Sequence, residues 1–179
     1  MAIRIKAAEG VYYPREDSLL LAEAVEKYSF GDVLDLGTGS GIQGITASLN
    51  GCRVIFADID EAALDSAREN ARLNGIEGKF VPSDMFSNIK GKFDTIIFNP
   101  PYLPQAETNG ETALAGGIHG RKYIDIFLNE YKDHLNKGGI ALLVESSFNG
   151  YESDAGSSGA EVVGKTHYFF EDLVVLLLR

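Results

Sequence analysis

The sequence predicts an α/β fold: a seven-stranded, mostly parallel sheet with helices on both faces and an antiparallel C-terminal hairpin. Three observations predict it. Apolar runs of strand length alternate with segments of helical spacing between residues 16 and 146, and that alternation builds a parallel sheet covered on both sides. A glycine cluster, Gly37-Thr38-Gly39-Ser40-Gly41, joins the first run to its helix. Two further apolar runs close the chain with turn residues between them, which is a hairpin pattern. The 179 residues suit one domain, 1–179, with a substantial core.

Each element has its own signal. Residues 16–28 place apolar side chains at helical spacing, with Glu16 and Asp17 at the front, where acids suit the positive end of the helix dipole. The run 32–36, Asp-Val-Leu-Asp-Leu, reads as a buried parallel strand. The glycines follow, then a helical pattern to about residue 50. Residues 53–58 form the second strand. An amphipathic helix starts at a capping Asp60 and stops at Asn74-Gly75. Residues 79–82 and 93–98 are the third and fourth strands. The third is expected at a sheet edge, open to a partner, so low solubility or activity of the chain alone is expected. The stretch 103–118 is polar and glycine-containing, a loop or lid. A helix from about 121 to 136 ends at Lys137-Gly138-Gly139, and the fifth strand covers 139–146. The segment 149–159 is turn-rich and expected to be exposed. Strands 161–169 and 172–178 pair around Glu171-Asp172.

Composition excludes several classes. The formal net charge of −10 disfavours non-specific contact with nucleic acid, which lysines and arginines supply, unless a basic patch or partner reverses it. The balance tilts towards protein or small-molecule substrates. The longest apolar run, Leu173 to Leu178, is far short of the roughly 20 residues that span a bilayer. Arg4 and Lys6 have no apolar run behind them, so no signal peptide is read and a cytoplasmic, membrane-free protein is expected. A single cysteine, Cys52, excludes an internal disulfide and a multi-cysteine metal site. It is a small core residue or, failing that, a reactive thiol. His119, His134 and His167 lack metal-ligand spacing, and no metal site is expected.

Ligands in such sheets bind outside the carboxyl ends of the strands, near the point where strand order reverses. Every motif of chemical interest falls at such an end. Asp35-Leu36-Gly37-Thr38-Gly39-Ser40-Gly41 leaves the first strand. Its glycines permit a tight turn and close backbone approach, and the helix beyond offers free N–H groups to a carboxylate or phosphate. Gly39-x-Gly41-x-x-Gly44, with Asp58 nineteen residues past Gly39, also satisfies the dinucleotide fingerprint. This region alone does not separate a nicotinamide cofactor from S-adenosylmethionine. Asp58 either accepts vicinal ribose hydroxyls or caps the next helix. Asp84 either accepts from the exocyclic amine of adenine, with Met85 or Phe86 against the ring, or shapes a turn.

Asn99-Pro100-Pro101-Tyr102, at the end of the fourth strand, separates the two cofactors. An amide nitrogen is a poor nucleophile because its lone pair is delocalised. The Asn99 side-chain oxygen and the Pro100 carbonyl can each take one N–H of an NH2 group and hold it for in-line attack on a sulfonium methyl. As the bond forms the nitrogen becomes cationic, and those acceptors bind it more strongly. Proline fixes the backbone, and Tyr102 can stack on a planar amide or base. Asn99, Pro100 and Tyr102 are the candidate catalytic residues, and with Pro101 they form the candidate substrate clamp.

With these residues in hand, the chain resembles the HemK-like N5-glutamine methyltransferases, above all the short archaeal and eukaryotic branch that modifies class-1 release factors. The resemblance runs along nearly the whole chain. It rests on Val11-Tyr12-Tyr13-Pro14-Arg15-Glu16-Asp17-Ser18, the Asp35–Gly41 loop, Asp58-Ile59-Asp60, Asp84, the clamp, and Ala115-Gly116-Gly117-Ile118-His119-Gly120-Arg121. It implies a Rossmann-like class I methyltransferase fold and S-adenosyl-L-methionine as cofactor, contacted by Ser18, Asp35, Gly37, Asp58, Asp84 and Asn99. Thr38, Gly39 and Gly41 of the loop and Met85 complete the candidate cofactor site. The resemblance further implies that the clamp holds the glutamine of a Gly-Gly-Gln tip on a class-1 peptide chain release factor. It also implies a small zinc-binding activator protein, paired with the chain as a heterodimer and shielding an apolar surface. The chain is expected to do without the N-terminal helical domain of the bacterial relatives, so substrate recognition is expected from elsewhere. The region 149–160 departs from the family in being shorter and richer in glycine and serine.

Plainer readings stand beside these. Tyr13-Pro14 with Glu16-Asp17 also suits a simple helix start, and His119 and Arg121 a turn and a cap. The clamp would equally serve an exocyclic amine of adenine or guanine in RNA or DNA, against which the acidic balance weighs. The tetrahedral ammonium of lysine fits a planar clamp poorly. A nicotinamide oxidoreductase would leave no room for a separate catalytic domain, and a non-catalytic cofactor-binding or scaffold protein would not need the clamp.

Overall fold

The chain forms β1 (Asp32–Leu36), β2 (Arg53–Asp58), β3 (Lys79–Pro82), β4 (Phe93–Phe98), β5 (Leu135–Ser146), β6 (Glu161–Tyr168) and β7 (Glu171–Leu178) in one sheet of order β3-β2-β1-β4-β5-β7-β6. The structure, a computed structural model, describes residues 3–102, 120–168 and 170–179. The first five strands run parallel, and β7 is antiparallel to both β5 and β6. Between them lie α1 (Glu16–Tyr28), α2 (Ile42–Leu49), α3 (Glu61–Leu73), α4 (Lys122–Glu130) and α5 (Tyr151–Ser158).

Alternation along the strands divides the core in two. Val33, Phe56, Ile97, Leu142 and Val175 face Leu21 and Val25 of α1, Ile45 of α2 and Ala67 of α3. Leu34, Leu36, Ile96, Phe98, Leu143 and Leu176 face Ile124 and Phe127 of α4. Burial on both faces is why these strands read as continuous apolar runs. Asp60 caps α3 by accepting the Ala62 N–H at 2.9 Å. Strand order reverses between β1 and β4, which are hydrogen-bonded neighbours with Leu36 beside Phe98. The residues that follow those two are Gly37 and Asn99, so the glycine loop and the clamp leave the sheet side by side.

Four expectations need correction. The helix expected to about residue 136 ends at Glu130, and a 3-10 turn, Tyr131–His134, follows. Sheet pairing takes the rest: Leu135 pairs with Phe93, and Asn136 Nδ2 donates to Asp94 Oδ1 at 2.8 Å. The fifth strand therefore starts at Leu135, with a register shift before Ile140 pairs with Thr95. Residues 149–159 are not an exposed turn but mostly α5, with Asn149 and Tyr151 buried. Finally, Glu171 and Asp172 belong to β7, opposite Tyr168 and His167, so the hairpin reverses before them. Asp172 is held there by Lys165 Nζ and His167 Nδ1, each at 2.8 Å. The expected loop or lid at 103–118 lies outside the described residues, as does His119.

Candidate functional site

A cavity of about 340 Å³ opens at the carboxyl ends of β1, β2, β3 and β4, within the size range of small-molecule sites. Of the candidate cofactor residues, Ser18, Asp35, Gly37, Thr38, Gly39, Asp58, Asp84, Met85 and Asn99 line it, as do Pro100, Pro101 and Tyr102. Gly41 does not. Its φ of 84° starts α2, and a Cβ there would press on Ala67 at 3.1 Å, so this glycine serves the packing of α2 against α3.

Asp35 holds the glycine loop together from beneath. Its Oδ2 accepts the Thr38 hydroxyl at 2.6 Å and the Gly44 N–H at 2.9 Å. Burial pushes its carboxyl up to about 7 against those stabilising bonds. A Cβ on Gly39 would meet nothing within 4 Å, so the loop leaves open space on that side. Asp58 Oδ2 accepts the Gly39 N–H at 2.9 Å and Oδ1 accepts the Asp60 N–H at 3.0 Å. Helix capping falls to Asp60, leaving Asp58 at the cavity wall, where burial raises its carboxyl. Met85 carries the only left-handed non-glycine φ among the described residues, 46°, a conformation that costs energy in an ordinary side chain. The turn is pinned by Ser83, whose hydroxyl donates to the Met85 carbonyl at 2.7 Å. Met85 lines the cavity, whereas Phe86 turns into the core and stacks on His134 with centroids 4.4 Å apart.

The clamp begins with a fixed amide. Asn99 Nδ2 donates to Asp17 Oδ2 at 2.9 Å and lies 3.4 Å from Ser18 Oγ. Its Oδ1 has no partner among the described residues. Asp17 is itself fixed, because the Tyr12 hydroxyl donates to its other oxygen at 2.9 Å. The Tyr12–Asp17–Asn99 chain thus decides which end of the Asn99 amide is left to accept. Tyr102 also lines the cavity, and burial, reinforced by Asp17, raises its hydroxyl so that it stays protonated.

Among the cavity residues that the sequence did not single out are Tyr12, Asp17 and Gln43. Asp17 and Tyr12 belong to the motif of residues 11–18, where the acid has a sufficient explanation in the helix dipole. Gln43, 4% exposed, donates from Nε2 to the Ser18 carbonyl at 2.9 Å and so ties α2 to α1. Its only signal was a polar residue among the apolar positions of a buried helix. Cys52 is half-buried, with Sγ 3.7 Å from Ser29 Oγ. Among the described residues there is no group of side chains that could hold a metal ion, and no helix long and apolar enough to cross a membrane.

Together the cavity offers space beside a glycine turn, a carboxylate suited to a diol, a side chain for an aromatic ring and an acceptor beyond. That donor set fits an adenosyl group with an amino-acid tail. Comparison with known proteins agrees. The family described as methyltransferase small domain matches residues 3–169. A Methanocaldococcus jannaschii protein provisionally named a protein N5-glutamine methyltransferase is 35% identical, over 97% of this chain and 94% of that one. Ribosomal RNA small subunit methyltransferase C of Haemophilus influenzae is 34% identical over 74% of this chain, which spans only 37% of that enzyme. Among solved structures, a chain of the E. cuniculi Mtq2–Trm112 complex, responsible for methylating the eRF1 translation termination factor, superposes with a TM-score of 0.75. It is 26% identical, with 95% of this chain and 98% of that one covered.

Proposed function

Because the chain belongs to the methyltransferase small domain family, whose methyl donor is S-adenosyl-L-methionine, we propose that it methylates N5 of the glutamine in the Gly-Gly-Gln motif of a class-1 release factor. The observation that carries this reading is the Asn99 amide, pinned through its nitrogen to Asp17 with its oxygen unpartnered among the described residues. An acceptor fixed in that sense suits an NH2 group and not a carbonyl. The 35% likeness to the Methanocaldococcus protein supports glutamine as the acceptor, and the likeness to the Mtq2–Trm112 complex supports a release factor as the substrate.

In this reading Ser18, Asp35, Gly37, Thr38 and Gly39 seat the donor's amino-acid end, Asp58 accepts from its ribose, and Asp84 and Met85 hold the adenine. The bound donor supplies an electrophilic sulfonium methyl. Asn99 Oδ1 and the Pro100 carbonyl each accept one N–H of the glutamine amide, and Tyr102 stacks on its plane. Both acceptors gain strength as positive charge grows on the nitrogen, which favours the transition state over the ground state. A small activator would complete a heterodimer, a reading that the pairing in the Mtq2–Trm112 complex supports. Translation termination as the setting implies the cytoplasm.

A second reading keeps the clamp and exchanges the acceptor for a nucleobase amine in RNA or DNA, supported by the 34% identity to the ribosomal RNA enzyme. Labelled donor, supplied with release factor or ribosomal RNA and with or without activator, separates the two. Label mapping to the Gly-Gly-Gln glutamine is expected. Label on RNA and never on protein would overturn the first reading. Asn99→Ala is expected to abolish turnover while retaining much of the cofactor affinity, and unchanged turnover would refute the clamp.

A further inference from the structure

The far end of the clamp is gripped by buried polar residues that the reading above does not use. The Tyr102 carbonyl accepts a hydrogen bond from Asn149 Nδ2 at 3.0 Å. Asn149 follows β5 and is 4% exposed. Its Oδ1 accepts the Ser146 N–H at 3.2 Å, and its own N–H donates to the Ser146 carbonyl at 2.9 Å. The Asn149 carbonyl in turn accepts from Arg121 Nη1.

Arg121 is itself held on several sides. Its guanidinium donates to both oxygens of Asp154, at 2.7 and 3.2 Å, and to Asp125 Oδ1 at 2.7 Å. Glu145, fully buried on β5, lies 4.0 Å from Nη1. Burial and the neighbouring Asp154 raise the Glu145 carboxyl well above the usual carboxylate range. The guanidinium's close ion pairs are with Asp154 and Asp125. Gly120 closes on the same carbonyl from another direction. Its φ is 69°, and a Cβ there would collide with the Tyr102 oxygen and come within 2.7 Å of Asn149 Nδ2.

A peptide unit is planar and rigid, so a carbonyl held by a donor and walled by a glycine backbone fixes ψ of its residue. We propose that Asn149, anchored by Arg121, is a positioning residue for methyl transfer: it fixes the Tyr102 backbone and through it the ring that stacks on the acceptor group. This rests on the clamp of the proposed function, but not on whether the acceptor is glutamine or a nucleobase.

The test compares wild type, Asn149→Ala and Gly120→Ala as full chains with activator, on both release factor and ribosomal RNA. The two variants disturb one carbonyl from different sides. Misplacement on the ångström scale lowers turnover steeply, so kcat is expected to fall roughly tenfold to a hundredfold while the Kd for the donor changes by less than about twofold. In protein carrying ring-labelled tyrosine, the Tyr102 resonances, assigned with Tyr102→Phe, are expected to move in both variants before any substrate is added. Should the alanine variant not fold, Asn149→Asp keeps the volume, replaces the donor by an acceptor and is judged in the same way. Unmoved Tyr102 resonances, or kcat and donor affinity falling together, would overturn the proposal. Activity of the wild type on RNA alone would overturn the release-factor reading while leaving the positioning role to be read on RNA.

Discussion

An asparagine amide can point either end at a ligand, and Asn99 is useful to the proposed reaction in only one of the two orientations. Asp17 selects it, because a carboxylate only accepts and so draws Nδ2. In Asp17→Asn the new side chain can donate as well as accept, and the preference is lost. Turnover is expected to fall by roughly tenfold or more, with donor affinity nearly kept, in steady-state kinetics and calorimetry. A second residue-scale prediction concerns Asp35. Burial pushes its carboxyl from the ordinary 3.8 up to about 7, so between those pH values the folded chain binds the extra proton. Its contribution to stability is therefore greatest below about 3.8, declines as pH rises towards 7 and is flat above. Denaturant midpoints of the donor-free protein should show a shallower decline over that window in Asp35→Asn than in wild type. That Asp35 and Asn99 line the cavity was legible because each stands at the carboxyl end of an apolar run. Asp17 was not, because its partner lies 82 residues away and an acid in a first helical turn needs no further cause.

The same division holds for elements. Strands β1 to β4 and helices α1 and α3 were read within a residue or two, because burial on two faces or one amphipathic stripe leaves a local signature. Helix α5 had none: Tyr-Glu-Ser-Asp-Ala-Gly-Ser-Ser has little helical propensity. It forms where Arg121 pairs with Asp154 and Tyr151 buries its ring, both long-range events. The extension of β5 to Leu135 likewise depends on a neighbour, Phe93, that local pattern cannot supply. Helix α4 yields a prediction of its own. Phe127 is fully buried, with ring centroids 5.0 Å from Phe98 and 5.5 Å from Tyr131. Phe98 in turn backs the glycine loop, since a Cβ on Gly37 would stand 3.3 Å from its ring. Phe127→Ala should cost about 3–5 kcal/mol of unfolding free energy in a denaturant titration. It should also weaken donor binding, because the ring behind the loop loses its support.

On the scale of the molecule, the sheet has two dissimilar edges. At one, β6 is an eight-residue strand carrying Lys165 and His167, both engaged by Asp172. A charged lysine on an edge strand discourages strand addition. At the other, β3 is four residues long and among the described residues pairs only with β2, and its Phe80 is half-buried, stacked on Phe56 at 4.8 Å. One row of backbone groups on β3 has no strand beside it among the described residues, and an extended segment of a partner could supply a ladder there. If the activator of the proposed heterodimer binds there, amide exchange should slow in residues 79–82 on adding it and remain unchanged in 161–168. Added strand pairing would also hold β3 against β2, and with it the turn that carries Asp84 and Met85 to the cavity. Donor affinity should therefore rise with activator present. Protection confined to the β6 edge, or donor binding indifferent to the activator, would remove β3 as the docking strand.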